Sequence, residues 1–187
     1  MKIVFTGAQG TGKTTILNEF KQGKFQNENL KVVTEVVRNL AKQGIKINEE
    51  GDIESQKAIF EEYSKLLAYD NRVSDRFFLD VLAYTAYIYH HSPSPEMADL
   101  FVEQYKRTAK FIKNSKDLII CYFPIEFDIV DDGVRSLDEG YRKEIDEYIH
   151  SFLNLMASNK YFVISGSVEH RIEQLTKIID CYKYINV

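Results

Sequence analysis

The chain has 187 residues, of which 44% are hydrophobic and 28% are charged, and its net charge is −4. This length favours one domain with its own core, and the composition is typical of a soluble globular protein. The negative charge argues against a surface attracted as a whole to nucleic acid or membrane, and no apolar run approaches the length of a membrane span. Because no signal peptide precedes the first predicted strand, we expect a cytoplasmic protein.

Hydrophobic patterning predicts a strand directly before a glycine-rich loop. Residues 2–6 form a short apolar, β-branched run typical of a buried strand, and residues 15–20 show a helical pattern. Between them, residues 7–14 read GAQGTGKT and match the G-x-x-x-x-G-K-T motif of the phosphate-binding P-loop. Since strand, glycine loop and helix is the order that this motif requires, we interpret residues 7–14 as a P-loop.

The P-loop predicts how a nucleoside triphosphate binds. Its glycines allow backbone conformations in which successive N–H groups face inward and bind phosphate oxygens, together with the helix N-terminus. We expect Lys13 to bridge the β- and γ-phosphates and the Thr14 hydroxyl to ligate Mg²⁺. The predicted nucleotide-binding residues are Gly7, Ala8, Gln9, Gly10, Thr11, Gly12, Lys13, Thr14 and Thr15.

The rest of the chain alternates strand and helix patterns. The further predicted strands are residues 30–34, 72–76, 118–123 and 161–164. The further predicted helices are residues 36–41, 53–69, 80–89, 96–113, 136–157 and a last helix from residue 168. Asp52 and Ser167 are expected to cap helices, and Ser136 to form a capping box with Glu139. Five apolar strands separated by helices predict an α/β fold, with a parallel sheet covered on both faces.

Ligands of such sheets bind beyond the carboxyl ends of the strands, so polar residues that follow strands are candidates for a site. Asp75 ends the third strand and can hold Mg²⁺, the alternative being a helix N-cap. Arg76 next to it either clamps phosphate or pairs with an acid. Glu35 follows the second strand and can orient an acceptor hydroxyl or take its proton, while Arg38 can bind an acidic acceptor. The alternative for Glu35 and Arg38 is a surface pair at i,i+3.

Two arginines and one glutamine complete the candidate site. Arg135 and Arg142 flank the start of a helix, where they can close over the triphosphate and neutralise developing charge, or be ordinary surface arginines. We therefore predict a lid-type segment near residues 125–145. Gln56 lies on the apolar stripe of the helix at residues 53–69, and it is either a satisfied buried amide or a reader of a nucleobase edge.

These segments together resemble the AAA-type P-loop family that includes the kinase domain of the nicotinamide riboside kinases and is related to nucleoside and nucleotide kinases. The resemblance rests on the P-loop, TEVVR at 34–38, VSDR at 73–76, DGVRS at 132–136 and SGSVEHR at 165–171. It implies a doubly wound sheet, ATP with Mg²⁺, and phosphoryl transfer to a nucleoside-like hydroxyl or phosphate. It also implies a lid near Arg135 and a nucleotide base near residues 165–171.

We therefore predict a single kinase-like domain over residues 1–187 that transfers a phosphoryl group from ATP to a small nucleoside or nucleotide. Lys13 and Arg135 would stabilise the transferring group, Thr14 and Asp75 would hold Mg²⁺, and Glu35 would handle the acceptor. Two alternatives stay open: a kinase for a hydroxyl within DNA or RNA, and a nucleotide-binding switch or slow ATPase. A basic helix face supports the nucleic-acid alternative and consists of Lys106, Arg107, Lys110 and Lys113.

Overall fold

The computed structural model describes residues 1–25, 30–129 and 136–185. Within these residues, strands and helices alternate along the chain. The strands are β1 (Lys2–Thr6), β2 (Lys31–Val33), β3 (Arg72–Asp75), β4 (Leu118–Tyr122) and β5 (Tyr161–Val163). The helices are α1 (Lys13–Lys21), α2 (Val36–Lys42), α3 (Ile53–Leu67), α4 (Phe78–His91), α5 (Pro95–Asn114), α6 (Glu139–Ala157) and α7 (Val168–Ile185).

The five strands form one parallel sheet in the order β2-β3-β1-β4-β5. β1 is central, and its residue Val4 lies opposite Ser74 of β3 and Ile120 of β4. The chain after β1 first builds one half of the sheet and then crosses to the other half, so the topological switch point lies beside β1. This arrangement confirms the predicted five-stranded, doubly wound α/β fold.

Helices cover both faces of the sheet because successive residues of a strand point to opposite sides. Val4 belongs to the larger core cluster, which α3, α4 and α6 build on one face. Ile3 and Phe5 belong to the second cluster, in which α1 and α7 pack on the other face. All three side chains are fully buried, which explains why the strands read as continuous apolar runs.

Helix caps determine where α3, α6 and α7 begin. Asp52 forms a capping box, in which its carboxylate accepts from the Ser55 amide at 2.9 Å, and Ser167 accepts from the His170 amide at 3.2 Å. The predicted cap at Ser136 is wrong, because α6 begins at Glu139 and its N-cap is Asp138. A carboxylate is the stronger acceptor at the positive end of a helix, and Ser136 instead accepts from the Asp138 amide.

Two further expectations concern the whole chain. None of the helices over the described ranges is long and apolar enough to cross a bilayer. The predicted lid near residues 125–145 includes residues 130–135, which lie outside the described residues, so the lid stays a prediction.

Candidate active site

A cavity of about 470 Å³ opens beyond the carboxyl ends of β1 and β3. The P-loop, the segment after β2, α3, α4 and the start of α7 all contribute to its walls. The predicted site residues that line it are Gln9, Gly10, Thr11, Gly12, Lys13, Thr14, Thr15, Glu35, Arg38, Gln56, Asp75 and Arg76. Gly7, Ala8 and Arg142 are outside this lining, and Arg135 lies outside the described residues.

The P-loop follows a path that two of its glycines require. Gly7 has φ 139°, and a Cβ there would lie 2.3 Å from the carbonyl oxygen of Phe123 after β4. Gly12 is the N-cap of α1 at φ 86°, and a Cβ there would lie 2.6 Å from the Arg171 guanidinium. A side chain at Gly7 would meet backbone and displace the loop, whereas a side chain at Gly12 would displace the Arg171 guanidinium and be strained by the left-handed φ.

Lys13 is buried beneath the P-loop. Its ammonium group donates to the carbonyl oxygens of Gly7 at 2.7 Å and Ala8 at 2.6 Å, and to the Thr11 hydroxyl at 3.0 Å. Burial lowers the Lys13 pKa to about 7, and the nearby Arg76 charge acts in the same direction against several carboxylates. A bound phosphate would supply the missing negative charge and raise this pKa again.

Thr14 and Asp75 provide oxygen ligands of the kind that Mg²⁺ prefers. The Thr14 hydroxyl donates to Asp75 Oδ2 at 3.2 Å across the gap between α1 and β3. The other carboxylate oxygen of Asp75 is buried, and no described residue donates to it. A buried carboxylate oxygen without a partner is costly, and a cation would remove this cost. The pair of residues therefore fits the predicted metal site.

Asp80 is a buried carboxylate that the sequence analysis did not select. It is fully buried in the first turn of α4, where it accepts from the Phe77 amide at 3.0 Å and the Gly7 amide at 3.4 Å. Burial raises the Asp80 pKa to about 6, although Arg76 and Lys13 oppose this shift. The available signal was a single acid at the start of an otherwise apolar helix, where an unpaired charge would be costly.

Backbone strain is concentrated at the cavity. Four described non-glycine residues have a left-handed φ: Glu35 at 62°, Asn48 at 57°, Asn71 at 54° and Arg76 at 76°. All of them except Asn71 line the cavity. Such conformations cost free energy and are typically retained where a site needs a side chain in one particular place.

Glu35 and Arg38 form the i,i+3 pair that the sequence offered as one alternative, and both also line the cavity. Arg38 Nε lies 3.5 Å from Glu35 Oε2. Each is about two-fifths exposed, with values of 41% for Glu35 and 39% for Arg38, so the pair adds little to stability. The pair leaves both side chains within reach of a ligand. Arg76 instead donates to the Tyr84 hydroxyl at 2.8 Å and lies 5.2 Å from that ring.

Gln56 belongs to a buried polar network between α3, α4 and α5. The Gln104 amide nitrogen donates to the Gln56 backbone carbonyl at 3.2 Å, and Thr85 donates to the Gln104 side-chain oxygen at 2.7 Å. The Thr85 hydroxyl also lies 3.4 Å from the Gln56 side-chain oxygen and 3.0 Å from the Val81 carbonyl oxygen. The Gln56 side-chain amide is both part of a satisfied network and part of the cavity wall, so the two interpretations of Gln56 are compatible.

Arg142 and Arg171 are almost completely buried, with exposures of 1% and 2%. Arg142, in the first turn of α6, donates to the carbonyl oxygens of Gln9 at 2.9 Å and Gly10 at 3.4 Å. Arg171 of α7 donates to the Thr11 carbonyl oxygen at 2.6 Å. The contact of Arg171 with the P-loop spans 160 positions, and no spacing in the sequence indicates it.

A family model described as an AAA domain matches residues 2–171. No curated protein sequence matches the chain. The deoxyadenosine kinase from M. mycoides with bound dCTP is similar in structure, with a TM-score of 0.66 and 18% identity over 97% of this chain and 100% of that chain. The NadR protein in complex with NR has a TM-score of 0.69 and 15% identity, over 97% of this chain and 50% of that chain.

The thymidylate kinase from Ehrlichia chaffeensis has a TM-score of 0.58 and 18% identity, over 96% of this chain and 98% of that chain. At such identities the structural similarity establishes the fold. The family match is broader evidence, since it runs from β1 into α7. The protein therefore belongs to the AAA domain family of P-loop proteins, with the fold of the nucleoside and nucleotide kinases.

Proposed function

We propose that the protein is a kinase that transfers the terminal phosphoryl group of ATP, with Mg²⁺, to a small nucleoside or nucleotide. The observation that carries this proposal is that one cavity is lined both by the P-loop and by a second set of polar side chains, Glu35, Arg38 and Gln56, which we call the acceptor compartment. A nucleotide-binding switch needs the P-loop and the metal ligands, whereas a second compartment beside them is what an acceptor requires. The kinases of similar fold add support.

Different residues of the cavity would bind the phosphates, hold the metal ion and orient the acceptor. The P-loop amides and Lys13 would bind the phosphates, and Thr14 with Asp75 would hold Mg²⁺, which neutralises charge on the phosphate oxygens when bound. Glu35 would orient the acceptor hydroxyl and take its proton. The hydroxyl oxygen forms a bond to the γ-phosphorus while the bond from that phosphorus to the β-phosphate oxygen breaks, and ADP leaves. Catalysis then depends on position and electrostatics.

Hydrogen bonding around Gln56 indicates what the acceptor base offers. Gln104 donates from its amide nitrogen to the Gln56 backbone carbonyl, and its side-chain oxygen lies 2.7 Å from the Thr85 hydroxyl, which also lies 3.0 Å from the Val81 carbonyl oxygen. The Thr85 hydroxyl also approaches the side-chain oxygen of Gln56, at 3.4 Å, so that oxygen is turned toward Thr85. Gln56 would thereby keep its side-chain N–H groups for a ligand, which favours a base with a hydrogen-bond acceptor on its edge.

A screen for acceptors tests the proposed function. Purified protein is incubated with ATP and Mg²⁺ and with single nucleosides or nucleotides, and transfer is measured as phosphorylated acceptor. We expect nucleosides or nucleotides with one group of bases to be phosphorylated, and a purine nucleoside to be a better acceptor than its analogue in which one ring nitrogen at the base edge is replaced by C–H. ATP hydrolysis that no acceptor changes would refute the kinase proposal in favour of a switch or slow ATPase.

Glu35→Gln connects the reaction to the proposed compartment. The amide keeps the size of the side chain but loses its charge, so we expect acceptor phosphorylation to fall by about 10²–10⁴. ATP affinity should stay within a few fold, because the P-loop makes the triphosphate contacts. Full activity of this variant would remove Glu35 from the site.

The structure adds no support for a nucleic-acid acceptor. The basic face of α5 does not contribute to the cavity lining. Its central residue, Arg107, already pairs with Glu61 and Glu103 and lies 4.7 Å from the Phe60 ring. Short oligonucleotides in the acceptor screen test this alternative directly.

A further inference from the structure

We propose that Arg142 and Arg171 are positioning residues that hold the P-loop carbonyl groups outward and thereby turn its amide N–H groups toward the bound phosphates. The proposal rests on nucleotide binding at the P-loop and is independent of the acceptor. It differs from the lid role expected for Arg142, because Arg142 contacts the loop without lining the cavity.

Five consecutive carbonyl oxygens of the loop each accept a hydrogen bond from a buried basic side chain. Lys13 of α1 binds those of Gly7 and Ala8. Arg142 of α6 binds those of Gln9 and Gly10, and Arg171 of α7 binds that of Thr11. Three helices that are distant in sequence therefore act on one uninterrupted run of peptide groups, from residue 7 to residue 11.

Because the trans peptide is planar, a contact that fixes the direction of its C=O group also fixes the direction of its N–H group. In each peptide, the C=O of one residue and the N–H of the next point in opposite directions. When Arg142 holds the carbonyls of Gln9 and Gly10, it orients the amides of Gly10 and Thr11 away from itself. Arg171 does the same for the amide of Gly12 through the Thr11 carbonyl.

The amides of Gly10, Thr11 and Gly12 are the ones available to a ligand. The Gly7 and Ala8 amides donate to the carboxylates of Asp80 and Asp146, each at 3.4 Å. Among the described residues, no group accepts from the amides of residues 10–12. A cation at the carbonyl oxygen also polarises the peptide, which makes the N–H on its other side a stronger donor to an anion.

Arginine suits this role for a geometric reason. The guanidinium is a planar fork with several N–H groups, so Arg142 reaches two successive carbonyls through Nε and Nη2. Each buried charge also has a carboxylate partner, Glu139 for Arg142 at 3.2 Å and Glu126 for Arg171 at 2.6 Å. Lys13 contacts two carbonyls through one nitrogen from its own position on α1, whereas a lysine at position 142 would have to replace two separate nitrogens, Nε and Nη2, with a single ammonium group.

The test is Arg142→Lys, measured by the affinities of ADP and of inorganic tripolyphosphate in calorimetry without acceptor. We expect both affinities to fall by the same factor, about tenfold, which corresponds to the loss of one charge-assisted hydrogen bond. Arg107→Lys is the matched control, since Arg107 lies on α5 away from the loop, and it should leave both affinities unchanged. Thermal unfolding verifies that each variant is folded.

The alternatives give different results. An arginine that acts only on the transferring phosphoryl group would lower the rate of transfer and leave ADP affinity unchanged, which would overturn the proposal. A residue that contacts the base would weaken ADP binding but not tripolyphosphate binding, with the same consequence. Should Arg142→Lys fail to fold, Arg171→Lys provides the same test through the Thr11 carbonyl. A protein that binds ADP but phosphorylates no acceptor would refute the kinase function alone.

Discussion

Glu35 lines the cavity and has a strained backbone conformation. Because of this combination, one substitution can separate the effect of this residue on activity from its effect on stability. Glu35 precedes α2 with φ 62° and ψ 16°, in the left-handed region. For a residue with a Cβ, this conformation costs about 1–2 kcal/mol. Glycine has no Cβ and adopts this conformation without strain, so Glu35→Gly removes both the strain and the carboxylate.

The expected change in stability follows from three contributions. Relief of strain stabilises the folded protein by about 1–2 kcal/mol. The greater freedom of glycine in the unfolded chain reduces this by about 0.4–1 kcal/mol. The lost ion pair with Arg38, between side chains about two-fifths exposed, contributes only about 0.3 kcal/mol. We therefore expect the free energy of unfolding to rise by about 0.5 kcal/mol, while acceptor phosphorylation falls by about 10²–10⁴.

The assay pairs urea unfolding, followed by far-UV circular dichroism, with acceptor phosphorylation at saturating ATP. Asn71→Gly is the matched control, because Asn71 has φ 54° in a turn that does not line the cavity. Asn71→Gly should also raise the free energy of unfolding, but by less, because asparagine tolerates the left-handed conformation better than glutamate does. It should leave acceptor phosphorylation unchanged. A loss of more than about 1 kcal/mol in Glu35→Gly would show that the side chain stabilises the fold and would refute the reasoning from strain.

Three further predictions concern the phosphate and metal groups. Lys13→Ala should abolish phosphoryl transfer and lower the unfolding midpoint, because the Gly7 and Ala8 carbonyls lose a buried donor, and near wild-type turnover would contradict the P-loop assignment. Asp75→Asn should shift the Mg²⁺ dependence of activity to higher concentrations and lower the rate, because an amide cannot offset the charge of the cation; an unchanged Mg²⁺ titration would exclude Asp75 as a ligand. With its pKa lowered to about 7, Lys13 is mostly neutral at pH 8, and bound phosphates raise that pKa, so ATP binding should take up protons. Calorimetry in two buffers of different ionisation enthalpy measures this uptake, and equal binding enthalpies would contradict it.

Much of the fold and part of the site followed from the sequence, for two physical reasons. Strands of a covered parallel sheet are buried on both faces, so residues 3–5 and 118–122 appear as unbroken apolar runs. The carboxyl ends of parallel strands meet at one edge, so Asp75 and Glu35 could be grouped with the P-loop although they lie far apart in sequence.

The remaining residues depend on packing that no local pattern contains. Asp80 and Arg171 reach the P-loop across 73 and 160 positions, and their roles follow from which helix lies against which loop. Arg142 was selected from the sequence, but its contacts with the carbonyls of Gln9 and Gly10 became visible only in three dimensions. The cap of α6 at Asp138 instead of Ser136 shows that neighbouring acceptors compete over one or two residues.

The sheet order also places the two halves of the site on strands of unequal stability. The P-loop follows β1, which is hydrogen-bonded on both sides, whereas Glu35 follows β2, a strand of three residues at the edge. Edge strands open and exchange their amide hydrogens more readily than central strands. Under the proposed function, the side that would bind the phosphate donor is thus built on the part of the sheet that tolerates least change, and the side that would bind the acceptor on the part that tolerates most. New acceptor preferences would accordingly arise through substitutions around β2 and α2 while the proposed ATP side stays as it is.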